Sequence, residues 1–345
     1  MNYSVLSKYR TELMGLAMLW VMLFHAWDLD LILLPLNWLR SAGFGGVDIF
    51  IFLSAMGLAM SLNGKEQKFG PFMARRASRI LPAYYVVMLA YAAFSILRDT
   101  APVSALFWNS TLLAYWVRAE GGFNWYISGI LLFYALTPPC FRLLKRSRHR
   151  ELLTAAGMTA GLALSRVLIR FIWGWSYLDV AYRVPIFFLG LLIGFYAGEA
   201  RPLGTRSLLF WCFCTLCGAA FLAASLHIDV SVAFLPLAYL FIFTTVPLCL
   251  ALCLLFERLP LGGLRRLLRL VGENSLEIYL LNVTFFTETA LLRRYLDFGP
   301  GHYVYYLITI SSNIALGVLL HRAIELGRAR FRARRSKTGS VSSGS

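Results

Sequence analysis

The chain has 345 residues, 59% of them apolar and only 14% charged, with a net charge of +16 at neutral pH. Its mean hydropathy of +0.66 excludes an ordinary soluble domain, whose surface needs far more charge. The basic residues lie in short clusters between apolar runs, the pattern of topology signals, which argues against a nucleic-acid partner.

Uncharged runs long enough to cross ~30 Å of hydrocarbon recur along the whole sequence. Without the alternation of a barrel they must be helices, which satisfy their own backbone groups. The expected fold is an all-α polytopic transmembrane bundle of about ten spans, near 13–28, 43–62, 80–97, 123–141, 151–171, 182–198, 207–226, 232–256, 275–292 and 303–324. The segment 105–117, "ALFWNSTLLAYWV", is too short to cross at ~1.5 Å per residue and reads as interfacial or re-entrant. With it left out, the basic loops share one side: Lys8/Arg10, Lys65 to Arg79, Arg142 to Arg150, Arg201/Arg206, Arg258 to Arg269, and Arg322 to Lys337. The other side receives Asp28, Asp30, Asp99, Glu120, Asp179 and Asp229. The positive-inside rule then puts both termini in the cytoplasm, in a multi-pass protein of the inner (plasma) membrane.

Lys8 and Arg10 precede an apolar run, but Ala26 is followed by Trp27 and Asp28. No small-residue cleavage site follows, so this run reads as a retained first span. Residues 1–328 are expected to form the membrane domain, and 329–345 a basic, Ser/Gly-rich disordered cytoplasmic tail. The six cysteines, at 140, 212, 214, 217, 249 and 253, have no metal-site spacing and read as apolar packing residues. No metal is expected.

In chain order, the first candidate is His25 in "VMLFHAWDLD" (21–30), about thirteen residues or ~20 Å into the first span. An ionisable group at that depth faces a protein interior or a watery cavity, or else marks the outer interface. Asp28, three residues on, either orients the imidazole or is a loop carboxylate. In "GGVDIFIFLSAMGL" (45–58), Asp48 and Ser54 read as polar groups facing the His25 cavity, or as parts of a small-residue helix interface. In "FMARRASRILPAYY" (72–85), Arg75, Arg76 and Arg79 suit phosphate recognition or serve as a topology anchor. Pro82 is expected in the first turn of its span. Arg166 and Arg170 either contact an acceptor or snorkel to headgroups. Trp125 reads as part of an aromatic belt or of a substrate site.

"LFH" closing the first span, "GGVDIFIFLS" in the second and "RRASRILPAYY" leading the third resemble, in this order, the acyltransferase-3 family of integral membrane acyltransferases. "FNWYISGILLFYALTP", "RVPIFFLGLLIGF" and "GENSLEIYLLN" extend the likeness along nearly the whole chain. The resemblance implies transfer of an acetyl or other short acyl group from acyl-coenzyme A to a hydroxyl of a cell-envelope carbohydrate or glycolipid. Acetyl-CoA would be a co-substrate, with no permanently bound cofactor. His25 would be the catalytic histidine, with Asp28, Asp48 and Ser54 grouped around it. Arg75, Arg76 and Arg79 would serve the donor. Arg166, Arg170, Arg183, Trp125, Glu277 and Asn282 are the candidates for the substrate side.

The sequence departs from the family pattern in three places. Met14 stands where many members carry an arginine, with Arg10 and Glu12 the nearest charges. Ile51 stands where phenylalanine is usual, and Asn282 where a histidine is frequent. The implied chemistry is proton abstraction from the acceptor hydroxyl by neutral His25, or an acyl-histidine intermediate. Two other readings stay open: a transporter or flippase for a lipid-linked sugar, and a non-catalytic acyltransferase-like membrane protein.

Overall fold

The computed structural model describes residues 1–26, 34–64, 67–227, 237–285 and 303–341. Among these, the regular elements are helices. The ones used below are α1 (Arg10–Phe24), α2 (Gly45–Gly64), α3 (Phe69–Leu97), α4 (Ser104–Ser110), α5 (Ala114–Val117), α6 (Trp125–Arg146), α7 (Arg150–Ile169), α8 (Val184–Gly198), α9 (Thr205–His227), α10 (Leu240–Arg258), α11 (Gly262–Glu273), α12 (Ser275–Phe285) and α13 (Tyr303–Val341).

Eight helices among the described residues are long and apolar enough to cross a membrane: α2, α3, α6, α7, α8 with the turn before it, α9, α10 and α13. The chain is a polytopic helical bundle. Helix α1, at 15 residues, is shorter than the ~20 that a span normally needs. The expected span 275–292 begins as α12 and then passes outside the described residues, as do the first residues of the span expected at 232–256. Helix α13 carries on past residue 328 into the stretch read from the sequence as a tail.

Helices α2 and α8 are buried almost throughout, whereas α7, α9 and α13 lie at the rim. The rim helices present Leu164 and Val167, Leu209 and Phe213, and Leu316 and Leu319 to the outside. Bare apolar surface on that scale suits hydrocarbon rather than water. This is a multi-pass membrane protein.

Small residues bring the central helices together. Gly190 and Gly194 share one face of α8 against α2: an added Cβ would lie 2.6 Å from the Phe52 carbonyl oxygen at the first, and 2.6 Å from the Ala59 Cβ at the second. Lipid gives helices no hydrophobic reason to associate, so close backbone packing carries the contact. Helix α11 packs on α1, with Glu12 buried between them and Arg269 Nε 2.8 Å from its carboxylate.

Two sequence expectations meet the structure differently. Helix α3 begins at Phe69, so Pro82 lies inside it rather than in its first turn. The helix simply continues ahead of the apolar run and carries Arg75, Arg76 and Arg79 on its N-terminal part. The segment 105–117 is not one helix but two, α4 of seven residues and α5 of four. Neither is long enough to cross. Leu112 and Arg118 take positive φ at the ends of these pieces, which breaks the helical path.

Neighbouring helices hold this segment by its backbone. Tyr84 and Tyr85 of α3 donate to the carbonyls of Asn109 and Ser110, at 2.9 and 3.0 Å. Ser128 of α6 donates to Leu112 O at 3.0 Å, and Tyr177 to Trp116 O at 2.7 Å. The buried Asn109 amide donates to Ala105 O and Gly121 O and accepts from Phe123 N, all within 2.9 Å. That leaves few unsatisfied polar groups in the segment.

Candidate active site: two cavities with a common wall

The bundle encloses a cavity of about 800 Å³ lined by His25, Tyr115, Arg118, Trp125, Asp179 and Arg183, among others. A second, of about 300 Å³, is lined by Arg10, Ser54, Ser61, Arg76, Arg79 and Tyr134, among others. Val47 and Tyr279 line both.

In the first cavity, His25 caps the C-terminus of α1. Its Nδ1 lies 2.8 Å from the Val21 carbonyl oxygen. A carbonyl can only accept, so Nδ1 carries the hydrogen and a neutral imidazole keeps its lone pair on Nε2. Phe24 stands edge-on to the ring, 5.2 Å between centroids.

Asp48 occupies the first turn of α2. Gly46 lets that turn lie against α1, since a Cβ there would fall 2.5 Å from Ala17 O. Arg183, just ahead of α8, has its Nε 3.8 Å from Asp48 Oδ2, with both side chains buried. The Arg183 Nη1 donates to Asp179 O at 2.9 Å, and its guanidinium carbon lies 5.3 Å from the Trp125 ring centroid. An arginine enclosed by two carboxylates and an indole is a braced group with little freedom to move. Asn124 caps α6 by accepting from Ile127 N and fixes where Trp125 and Tyr126 enter the bundle.

The second cavity is built differently. Arg10 lies across Gly57, where an added Cβ would sit 2.8 Å from the guanidinium carbon. Arg76 and Arg79 reach the same space from α3, with Arg76 5.5 Å over the Phe72 ring. The Nε atoms of Arg10 and Arg76 are buried with no hydrogen-bond partner among the described residues. No described carboxylate forms an ion pair with Arg10, Arg76 or Arg79. Guanidinium groups gathered in a half-enclosed space without a counterion favour an anionic ligand.

Geometry therefore divides the residues singled out from the sequence. His25, Trp125 and Arg183 share the larger cavity, with Asp48 behind Arg183. Ser54 lines the arginine cavity with Arg76 and Arg79. Arg75 is exposed, hydrogen-bonded to Gln67. Arg166 and Arg170 are exposed on the rim and line neither cavity. Glu277 is buried with His321 Nδ1 3.1 Å away, and Asn282 is buried in α12; neither reaches the two cavities. Asp28 lies outside the described residues.

The model of the acyltransferase-3 family, an acyltransferase domain, matches residues 13–322. The chain belongs to that family. No curated protein and no solved structure matches it. The protein is a membrane acyltransferase, and the family anticipated from the "LFH", "GGVDIFIFLS" and "RRASRILPAYY" motifs is its own.

An acyltransferase must bring the acyl group of a donor to the nucleophile of an acceptor. Three groups that bear on that meeting were not singled out from the sequence: Arg10, Tyr279 and Arg118. Arg10 had a usable signal. It stands one helical turn before Met14, on the same face of α1, and both line the arginine cavity.

Proposed function

We propose that this acyltransferase moves an acetyl or other short acyl group from acyl-coenzyme A to a hydroxyl of a cell-envelope carbohydrate or glycolipid. One observation carries the reading: an arginine cavity without a described counterion shares Val47 and Tyr279 with a larger histidine cavity. The first suits the phosphates of a donor, and the second suits an acceptor.

In this reading the donor approaches from the cytoplasm, where the positive-inside rule puts Arg76 and Arg79. Its phosphates take charge-assisted hydrogen bonds from Arg10, Arg76 and Arg79, with Ser54 and Ser61 beside them. Its thioester reaches toward His25. The acceptor occupies the larger cavity, where the faces of Trp125, Tyr115 and Phe123 suit sugar rings and Asn124 and Arg118 offer donors.

Nε2 of His25 removes the proton of the acceptor hydroxyl as its oxygen attacks the thioester carbonyl. A carbon–oxygen bond forms and the carbon–sulfur bond breaks. The departing thiolate recovers the proton from the imidazolium. The Asp48–Arg183 pair acts on the frame, holding α2 to α8 beside the reacting atoms. A plasma-membrane location follows, because the donor is cytoplasmic and the acceptor faces the envelope.

Purified protein in lipid nanodiscs, given acetyl-CoA labelled in the acetyl group and an envelope glycan extract, should produce label in a base-labile ester. Mass spectrometry of the glycans with and without the gene should then find the acceptor missing one acetyl. Transport of a lipid-linked sugar across the bilayer, with no release of free coenzyme, would replace this reading with that of a transporter.

A further inference from the structure

Helix α3 carries Pro82 thirteen residues after its start at Phe69. Proline has no N–H, so the helical ladder leaves the Ser78 carbonyl oxygen, four residues back, without its usual donor. In membrane helices a neighbouring helix commonly satisfies such a freed carbonyl. Here the donor comes from 250 residues away.

Arg328 of α13 donates through Nη2 to the Ser78 carbonyl oxygen and, at 3.3 Å, to that of Arg79. Its Nη1 meets Glu325, one turn earlier on α13. Both terminal nitrogens are thus engaged by the protein itself, whereas the Nε atoms of Arg10 and Arg76 have no partner among the described residues. Carbonyls freed at a break in a helix form a partial negative end, where a guanidinium is favoured.

The place of the break decides what the contact does. Arg76 and Arg79 stand six and three residues ahead of Pro82, and both line the arginine cavity. Beyond Pro82, Tyr84 and Tyr85 tie α3 to the segment 105–117. A helix interrupted by proline bends most easily at that point. The far half is anchored by the tyrosines, and Arg328 holds the near half, which carries the arginines. Helix α13 is a firm base for this, because at Gly317 an added Cβ would fall 2.4 Å from Ile278 Cγ1 of α12.

We infer that Arg328 is a positioning residue for the donor: by filling the carbonyl that Pro82 leaves open, it fixes how Arg76 and Arg79 are aimed into their cavity. The inference rests on the donor assignment above. Arg328 itself does not touch the donor.

The test uses the full chain in nanodiscs and calorimetric titration of coenzyme A. Arg328→Ala should weaken binding by about two- to thirtyfold, the range for residues that act on a site without touching its ligand. The KM for acetyl-CoA should rise with it, while kcat stays within about twofold of wild type. Pro82→Ala returns an N–H to position 82, so the Ser78 carbonyl regains a partner in its own helix. In that background Arg328→Ala should change binding by less than about twofold, because both substitutions act on one contact.

The same loss with and without Pro82→Ala means that Arg328 meets the donor directly, and the positioning role falls. A folded Arg328→Ala variant with unchanged binding, where Arg76→Ala loses it, overturns the inference and leaves the donor assignment standing. If neither substitution weakens binding, the donor assignment falls and the inference with it. A measurement without coenzyme covers a Pro82→Ala chain that binds poorly for its own reasons. Arg328→Ala should lower the unfolding temperature of the parent chain and leave that of the Pro82→Ala chain where it was. Equal drops in both overturn the bridge across the proline.

Discussion

The cavity at His25 and the cavity at Arg10 both enclose guanidinium groups, yet only in the first does one of them, Arg183, meet carboxylates among the described residues. Arg183 is flanked by Asp48 and Asp179. Arg10, Arg76 and Arg79 have no such neighbours among the described residues. A cation neutralised from within serves as framework, because its charge is already spent on its partners. Cations left without partners are held ready for a charge that arrives with a ligand. In the proposed reading the same residue type thus has two jobs in one bundle, and the surrounding carboxylates tell them apart.

The most damaging way to break this division is at the histidine. His25→Ala should lower acyl transfer by about 10²–10⁴-fold, the usual cost of losing a general base, while the protein still inserts and folds. Turnover of labelled donor by purified variant and wild type measures it, and a variant with more than half of wild-type rate sinks the assignment.

Next comes the framework. Arg183→Ala should destabilise the fold by about 3–5 kcal/mol, because it strands the buried Asp48 carboxylate, whereas Asp48→Ala should cost less, because Asp179 still faces Arg183. Replacing both by apolar residues of similar size should recover much of that loss. Unfolding in detergent followed by tryptophan fluorescence reads all three. A double variant as damaged as the sum of the singles would mean that the two groups are not coupled.

Smaller effects separate the arginines. Arg10→Ala and Arg76→Ala should each weaken coenzyme A binding by about ten- to a hundredfold, the value of one charge-assisted contact. Arg75→Ala should leave binding within about twofold of wild type, as expected of an exposed side chain whose surface contacts are worth little. Calorimetric titration of coenzyme A into each variant makes the comparison. Equal losses at Arg75 and Arg76 would mean that general positive charge, not the cavity, attracts the donor.

How far the sequence reveals this arrangement depends on the range of the interaction. Long uncharged runs report the helical bundle directly, because hydrocarbon leaves the backbone no other choice. The shortness of 105–117 is local too, and the structure breaks that stretch into two brief helices. The Asp48–Arg183 pair is not local. It depends on α2 meeting α8, two helices far apart in sequence, at Gly190 and Gly194, and no periodicity announces which helices will touch.

Ser54 shows the limit of reading one motif as one site. It shares a helix with Asp48, but six residues carry it more than one and a half turns along the axis, from one cavity's neighbourhood into the other's. Arg75 shows a related limit. It is adjacent to Arg76 in sequence yet about 100° away around the helix, and only Arg76 is turned inward. Arg10 sits where basic residues usually mark topology, and that expectation hid its place beside Gly57.

The segment 105–117 forms one side of the larger cavity through Ala114 and Tyr115. Its neighbours grip it largely by main-chain oxygens, and the Asn109 side chain and the Tyr115 and Trp116 rings, which pack on Tyr177, add to the hold. Main-chain atoms are the same in every amino acid. The exposed residues of this segment, such as Phe107 and Leu113, can therefore be exchanged without releasing the clasp that holds it. The protein has in effect a replaceable faceplate over a fixed machine, a natural place for acceptor preference to diverge and for a designer to graft a new one.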